Sequence, residues 1–271
     1  MNNLGYKSDC LIQQYAGEVE AKPRYTVIRS TKNPDYHWGN LLVYGQAPKA
    51  DSFKKWIQDF QSEFDQSTEH LTFGWEEESR GNTAHFEDLG FELEHNIVLT
   101  SNAPTPLVKS SAPIECRKLQ SDEEWEAIAQ LQSLCERDSP NWKPFLEFKR
   151  RLYNSYRQLQ EAKHGACWGA FLEGTLVADM GLFFNSDRSY GRFQSVETHP
   201  EHQGQGICSE LLSHVIADAY EAYPKIELII ATEPKNPALR IYQRAGFAPH
   251  SEQYGVSLPR PLSQSEQTQI S

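Results

Sequence analysis

Residues 192–208, RFQSVETHPEHQGQGIC, contain the most informative turn in this chain. An extended segment, 192–198, precedes a turn with glycines at 204 and 206, and a helical pattern begins directly after it. Glycine lets the backbone approach a ligand closely, and a helix N-terminus presents unpaired N–H groups with a partial positive charge. The segment therefore predicts an anion site, typically for a phosphate, at the start of a helix.

Two common phosphate-binding motifs do not fit this turn. The dinucleotide fingerprint G-x-G-x-x-G would need a glycine at position 209, where Ser209 stands, and no lysine and hydroxyl pair of the Walker type follows. Taken alone, the turn is as compatible with a plain strand-to-helix connection as with a phosphate loop.

The segments around the turn predict a mixed α/β fold. The helical pattern that begins after Gly206 is followed by 226–231, a nearly apolar run typical of a strand buried on both faces. Strand, helix and strand in this order predict a parallel crossover pair, whereas 166–172 and 176–184 predict an antiparallel hairpin. Further upstream we expect a strand over 114–119 and two amphipathic helices, over 121–131 and 145–159.

The pattern V-x-T-x-P-x-x-Q-G-x-G-I, from Val196 to Ile207, resembles the pyrophosphate loop of the GCN5-related N-acetyltransferase (GNAT) superfamily. Gln203 and Gly206 match the family pattern, and Cys208 stands where a small residue is usual. Residues 236–247, NPALRIYQRAGF, are similar to the next helix of the family, which ends in A-(x)3-Y-(x)3-G-F. The resemblance covers residues 114–258 and implies a GNAT-like fold.

The resemblance also implies a binding site for acetyl-CoA as co-substrate. The backbone of residues 196–198 would pair with the pantetheine arm, and residues 203–209 would wrap the pyrophosphate. The cofactor-binding residues expected on this basis are Val196, Glu197, Thr198, Gln203, Gly204, Gln205, Gly206, Ile207, Cys208, Ser209, Asn236 and Tyr242.

Acyl transfer to an amine needs a neutral amine, a donor for the developing oxyanion and a proton for the departing thiolate. The resemblance implies that Tyr242 supplies this proton, although its place on an apolar helical face also fits a core residue. Glu197 and Glu233, at the ends of adjacent strands, are candidates for the general base, and a solvated surface carboxylate is the alternative for each. Of the two, Glu197 is the expected catalytic residue. Asn236 fits a cofactor contact and, followed by Pro237, equally a helix cap.

The first half of the chain predicts a second, degenerate copy of the same fold. Residues 70–75 and 82–95 parallel 227–232 and 236–250, but the connection at 45–51 lacks the paired glycines. Chance similarity of two L-G-F-like segments is the alternative to duplication. We expect this half neither to bind CoA nor to catalyse, but to complete the acceptor pocket or to form a homodimer.

Composition excludes several classes of protein. The 271-residue chain has a formal net charge of −11, which argues against nucleic-acid binding, and it has no apolar run long enough for a membrane span. Five scattered cysteines without a C-x-x-C pair favour a reducing, cytoplasmic compartment. We expect no metal site, since the H-x-x-H of His199 and His202 lies in a loop without a carboxylate partner.

The predicted architecture is therefore two tandem GNAT-like domains. The expected boundaries are 1–100 for the degenerate domain, 101–113 for a linker, 114–260 for the catalytic domain and 261–271 for a flexible tail. The predicted activity is acetyl-CoA-dependent N-acetylation of a small-molecule or peptide amine by direct attack in a ternary complex. The alternative is an acyl-CoA-binding regulatory protein without turnover.

Overall fold

The computed structural model describes residues 1–65, 68–104, 106, 108–134, 142–264 and 266–267. Their contacts divide the chain into two compact units. The first unit is Met1–Val98 with His250–Ser271, and the second unit is Leu99–Pro249. Residues 250–260 thus pack with the first unit, whereas the sequence grouped them with 114–249. A strand can pack against a domain other than the one to which it belongs in sequence. The domain boundaries given above therefore stay predictions.

Seven helices and eleven strands are assigned in the described residues. The helices are α1 (Leu4–Ala16), α2 (Ser52–Glu63), α3 (Ala84–Asp88), α4 (Asp122–Leu131), α5 (Trp142–Glu161), α6 (Ile207–Ala222) and α7 (Ala238–Arg244). The strands are β1 (Glu18–Ala21), β2 (Tyr25–Arg29), β3 (Leu41–Tyr44), β4 (Leu71–Trp75), β5 (Glu92–Ser101), β6 (Ile114–Lys118), β7 (Gly165–Leu172), β8 (Thr175–Phe184), β9 (Tyr190–Thr198), β10 (Glu227–Thr232) and β11 (Ala248–Leu258). Among the described helices, none is long and apolar enough to cross a membrane.

In the first unit, neighbouring strands follow the order β1-β2-β3-β4-β11. They are antiparallel except for β3 and β4, which run parallel because α2 returns the chain between them. The last strand of the chain, β11, pairs with β4 from Tyr254 opposite Trp75 to Leu258 opposite Leu71.

Aromatic rings fill the interior of the first unit. Trp56 of α2 stacks on Tyr44 of β3 with the ring centroids 3.9 Å apart, and its centroid lies 6.1 Å from that of Trp75. Val256 and Leu258 of β11 are buried in the same cluster. Burying an apolar side chain of this size contributes about 1.5–3 kcal/mol, so β11 is a substantial part of what stabilises this unit.

In the second unit, neighbouring strands follow the order β10-β9-β8-β7-β6. They are antiparallel except for β9 and β10, which run parallel with α6 between them in the chain. Helices α4 and α5 pack on each other and on β8 and β7, and α6 packs along β6 to β9. The succession strand, helix, parallel strand therefore occurs in both units, as β3-α2-β4 and as β9-α6-β10.

The mixed α/β fold predicted from the sequence is confirmed. Helix α4 begins where the Ser121 cap predicts: its hydroxyl accepts the Glu124 N–H at 3.3 Å, and the Glu124 carboxylate accepts the Ser121 N–H at 3.2 Å. Helix α6 buries the predicted apolar stripe, including Leu211 and Val215. Helix α1, which the sequence analysis did not predict, buries Tyr6 and Leu11 in the first unit.

Two of the predicted boundaries fall partly outside the described residues. In the tail predicted as flexible, Leu262 packs into the aromatic cluster of the first unit, and residues 265 and 268–271 lie outside the described residues. The same holds for residues 105 and 107 of the predicted linker, and for Cys135 among the five cysteines. The other four cysteines are free thiols.

Candidate active site

Strands β9 and β10 are paired only where they begin. Their parallel pairing starts at Tyr190 and Glu227 and ends at Arg192 and Ile229, although β9 continues to Thr198. Residues 193–198 of β9 therefore make no ladder with β10 in the described structure. At this edge the Thr198 N–H is bonded by the Glu197 carboxylate at 3.1 Å and the Thr198 carbonyl by the Gln203 amide at 3.2 Å, so side chains take the place of a neighbouring strand there.

Strand β9 also contains a bulge. Gln194 lies opposite Gly181 and Glu197 lies opposite Asp179, so β9 has one more residue than β8 between these pairs. Ser195, in the bulge, has a φ of 51°, in the left-handed region that serine rarely adopts. Bulges bend a strand and change the direction of its backbone groups, and they are common next to active sites.

The glycine turn has the conformation that only glycine adopts readily. Gly204 and Gly206 have φ angles of 76° and 82°, and Gly206 precedes the first turn of α6 without a side-chain cap. The N–H groups of residues 207–209 consequently have no partner within the helix. A side chain at Gly204 would meet no atom within 4 Å, so the turn is open on that side.

A cavity of about 560 Å³ lies between the end of β9, the glycine turn and α7. Its lining residues are Val196, Glu197, Thr198, His202, Gln203, Gly204, Gly206, Ile207, Cys208, Ser209, Asn236, Pro237, Ala238, Ile241, Tyr242 and Arg244. Every residue predicted to bind the cofactor is among them except Gln205. The Gln205 carbonyl instead accepts the Ser111 N–H at 3.1 Å. The structure brings these residues together, and their roles stay predictions.

Tyr242 lines the cavity although only 4% of it is exposed. Burial raises the pKa of its phenol well above the ordinary value, and the nearby Cys208 and Glu197 raise it further, while Arg192 opposes the shift. The phenol is therefore protonated at neutral pH and is able to donate a proton. The position fits both interpretations of Tyr242, as a core residue and as a proton donor at the site.

The two candidate carboxylates differ in position. Glu197 lines the cavity near Cys208, whose thiol pKa is raised to about 11 by burial and, in smaller part, by Glu197. Cys208 is therefore a neutral thiol at physiological pH. Glu233 is exposed and is not among the lining residues. Of the two carboxylates, Glu197 is the one at the cavity.

A buried polar network supports the bulge from the side of β8. The Gln132 amide donates to both carboxylate oxygens of Asp179 at 3.1 Å and to the Ser195 carbonyl at 2.8 Å, and it accepts from Lys149 Nζ at 3.3 Å. Burial raises the pKa of Asp179 well above the ordinary value, with Gln132 opposing the shift. This network was not predictable from the sequence, because Gln132 and Asp179 belong to no motif and are brought together only by the packing of α4 on β8.

Other lining residues were also missed or left open. Arg244 places a positive charge at the cavity, and its position two residues after Tyr242, on a helix beside the glycine turn, is the signal that could have identified it. His202, whose place in a loop predicted a surface residue, lines the cavity as well. The Asn236 side chain accepts the Ala238 N–H at 2.9 Å while lining the cavity, so both of its interpretations remain open.

The segment 108–111, within the predicted linker, is held against α6. Its bonds are Val108 N–H to Ser213 Oγ at 3.0 Å, Lys109 Nζ to Glu210 Oε1 at 2.8 Å, Ser110 N–H to Glu210 Oε2 at 2.8 Å, and Ser111 N–H to the Gln205 carbonyl at 3.1 Å. This segment therefore lies directly behind the glycine turn, where the Ser110 Cα would be 3.4 Å from a side chain added at Gly206.

Comparisons with known proteins bear on the sequence family and the fold. The sequence model of the acetyltransferase (GNAT) family matches residues 125–247. No curated protein is significantly similar in sequence.

Solved structures with the same fold cover nearly the whole chain. A conserved protein of unknown function from Staphylococcus epidermidis is 14% identical, with a TM-score of 0.71 over 91% of this chain and 95% of its own. A GCN5-related N-acetyltransferase from Kribbella flavida is 13% identical, with a TM-score of 0.63 over 97% and 98%. A tandem GNAT protein from the clavulanic acid biosynthesis pathway is 12% identical, with a TM-score of 0.53 over 96% of each chain.

Proposed function

We propose that the GNAT-family domain of this chain, matched over residues 125–247, binds acetyl-CoA in the cavity beside α6 and transfers its acetyl group to a primary amine. The observation that carries the proposal is the convergence of three features on one cavity. These features are the unpaired, bulged end of β9, the glycine turn before α6, and Tyr242.

Each part of acetyl-CoA has a matching part of the cavity. The unpartnered N–H groups of residues 207–209 and the helix dipole favour the pyrophosphate, and Arg244 adds a positive charge. The backbone of residues 196–198 makes no ladder with β10 and would bind the amide groups of the pantetheine arm. The side chains of Glu197 and Gln203, which hold the Thr198 N–H and carbonyl at 3.1 and 3.2 Å, would move aside for it. The thioester would then lie towards Tyr242.

The reaction requires one bond to form and one to break. The neutral amine attacks the thioester carbonyl carbon, and the tetrahedral intermediate expels the CoA thiolate. Tyr242, whose phenol stays protonated, gives its proton to this thiolate. Glu197, at the same cavity, accepts the proton that the amine loses, directly or through water. The products are the N-acetylated amine and free CoA.

The described residues of the first unit lack these features. Strands β3 and β4 stay paired to their last residues, Tyr44 and Trp75, so no gap opens between them. Trp75 is fully buried at that position, and Tyr44 and Trp56 stack beside it. We therefore assign cofactor binding to the second unit alone.

Calorimetric titration with acetyl-CoA tests the proposal. Wild-type protein is expected to bind one equivalent, and Gly206→Trp is expected to lose binding because the indole would fill the turn. Gly174→Trp is the control for a tryptophan at a positive φ, since Gly174 lies in the β7–β8 hairpin, where an added side chain would meet no atom within 4 Å. Absence of binding by wild type would reject the proposal.

Turnover is measured separately, as release of free thiol in the presence of candidate amines. Acetyl transfer to any primary amine supports the enzyme. Binding of acetyl-CoA without thiol release from a broad amine panel would support the regulatory alternative instead.

A further inference from the structure

A group of three metal-ligating side chains lies in the second unit, outside the cavity described above. The Sγ of Cys116 on β6 and the side-chain donor atoms of Glu210 and His214 on α6 all lie within 4.8 Å of one another. Glu210 and His214 are four residues apart and therefore share one face of the helix. No other such group was found among the described residues.

Two of these donors have no competing partner. Neither the Cys116 thiol nor the His214 ring has a hydrogen-bond partner among the described residues, and the His214 Nε2 lies 3.9 Å from Glu210 Oε1. Glu210 is only 3% exposed, and its Oε2 is fixed by the Ser110 N–H at 2.8 Å. This backbone bond orients the carboxylate in the way that outer-shell partners orient metal ligands.

The remaining carboxylate oxygen already holds a cation. Lys109 Nζ lies 2.8 Å from Glu210 Oε1, yet 75% of the lysine side chain is exposed. The ammonium can therefore move into solvent with little loss of packing, whereas the buried carboxylate cannot follow it. A cation with a stronger preference for this donor set would take its place.

The donor set selects the metal. Thiolate, imidazole and carboxylate together suit Zn²⁺, whereas Mg²⁺ and Ca²⁺ prefer oxygen alone. Zinc bond lengths of about 2.0–2.3 Å put tetrahedral ligands roughly 3.3–3.8 Å apart, so the three donors need to approach by about an ångström, within the reach of rotamer changes.

We propose that Cys116, Glu210 and His214 form a Zn²⁺ site in which the metal replaces the Lys109 ammonium at Glu210. Three protein ligands leave the fourth position to water. Zinc binding would deprotonate the Cys116 thiol, whose pKa is otherwise raised to about 12 by burial.

The site would join the parts of the chain that support the glycine turn. The Glu210 N–H bonds the Gly206 carbonyl at 3.0 Å, and the Ser111 N–H bonds the Gln205 carbonyl at 3.1 Å. A metal at Glu210 would tie β6 and segment 108–111 to the first turns of α6. Its role is structural, and it does not depend on the proposed acetyl transfer.

Cobalt(II) titration of the chelator-treated full chain tests the site, with thiolate-to-cobalt charge transfer in the near ultraviolet as the readout. Wild type is expected to show this band at one equivalent, and Cys116→Ser is expected to abolish it. His214→Ala should weaken binding about tenfold or more. The controls Cys10→Ser and His250→Ala, a free thiol of the first unit and an exposed imidazole, should titrate like wild type.

The Lys109→Met variant tests whether Glu210 binds a metal in place of Lys109 or only forms an ion pair with it. If the ammonium competes for Glu210, the substitution should tighten cobalt binding about fivefold or more, because a pair with one buried partner should be at least as strong as a surface ion pair. Folding of each variant is checked by circular dichroism. No charge-transfer band in wild type, a band that survives in folded Cys116→Ser, or unchanged affinity in Lys109→Met would overturn the proposal.

Discussion

At the scale of single residues, Tyr242 connects burial with chemistry. Its phenol is nearly enclosed, and its pKa is raised by burial with Cys208 and Glu197 as further causes. A raised pKa keeps the proton on the phenol at all physiological pH values. The phenol should therefore lose its proton, and with it the ability to act as a donor, only above about pH 10, the ordinary pKa of tyrosine.

Replacement of Tyr242 by phenylalanine removes the proton and leaves the ring. We expect kcat to fall about 10²-fold or more, the usual contribution of a positioned acid, with little change in the Kd for acetyl-CoA. In wild type, loss of the phenol proton should lower kcat only above about pH 10. Tyr242→Phe should not show this decrease. Turnover of the variant equal to wild type would reject Tyr242 as the donor.

The residue scale also shows which part of the site the sequence could predict. Gln203, Gly206 and Tyr242 were predictable because contiguous motifs contain them, and the structure brings them to one cavity. The Zn²⁺ ligands proposed here were not, because Cys116 is far in sequence from Glu210 and His214 and no local spacing connects them. The expectation of no metal site followed from local spacing alone.

At the scale of elements, the bulge of β9 is the part that depends most on its neighbours. Ser195 has an unfavourable φ, and its carbonyl accepts a hydrogen bond from the Gln132 amide, which stabilises this conformation. The same amide donates to the buried Asp179 carboxylate. Periodicity predicted β9 as a strand, but not this bulge, since a bulge is defined by the register against β8. The same limit applies to the separation of β9 from β10.

Gln132→Leu should therefore disturb the site indirectly, by removing the hydrogen bonds that support the bulge of β9. Leaving the Asp179 carboxyl and the Ser195 carbonyl without their donor is expected to lower the free energy of unfolding by about 1–3 kcal/mol. We also expect a higher KM or lower kcat with the amine, because the end of β9 loses its support. Urea unfolding and steady-state kinetics measure the two effects.

The control is Gln130→Leu, an exposed glutamine of α4 whose side-chain amide donates to the Glu126 carboxylate at 2.9 Å. It should change neither quantity appreciably. A Gln132→Leu variant with wild-type stability and kinetics would show that the network does not support the bulge.

At the scale of the whole molecule, the order of elements was more predictable than their pairing. Residues 70–75 and 227–232 were predicted as equivalent strands, and each does follow a helix and run parallel to the strand before it. Local pattern could not show that β11 pairs with β4, because strand pairing depends on contacts between residues far apart in sequence. Hydrophobic alternation identifies a strand but not its partner.

The pairing of β11 predicts where a change near the end of the chain will act. Leu258 is 1% exposed and belongs to the aromatic cluster of the first unit. Leu258→Ala removes buried methyl groups and leaves a cavity, which costs about 2–5 kcal/mol. We expect amide hydrogen exchange in β3 and β4 to become about 30-fold faster or more, since each 1.4 kcal/mol is a factor of ten.

The matched control is Val215→Ala, a fully buried residue of α6 in the second unit. Its effect should be largest in β9 and β10, which α6 connects, as measured by exchange in peptides from those strands. The domain boundary predicted from the sequence, 114–260, puts Leu258 in the same domain as β9 and β10. That boundary predicts that Leu258→Ala also increases exchange first in β9 and β10. Exchange that accelerates there while β3 and β4 stay protected would contradict the assignment of β11 to the first unit.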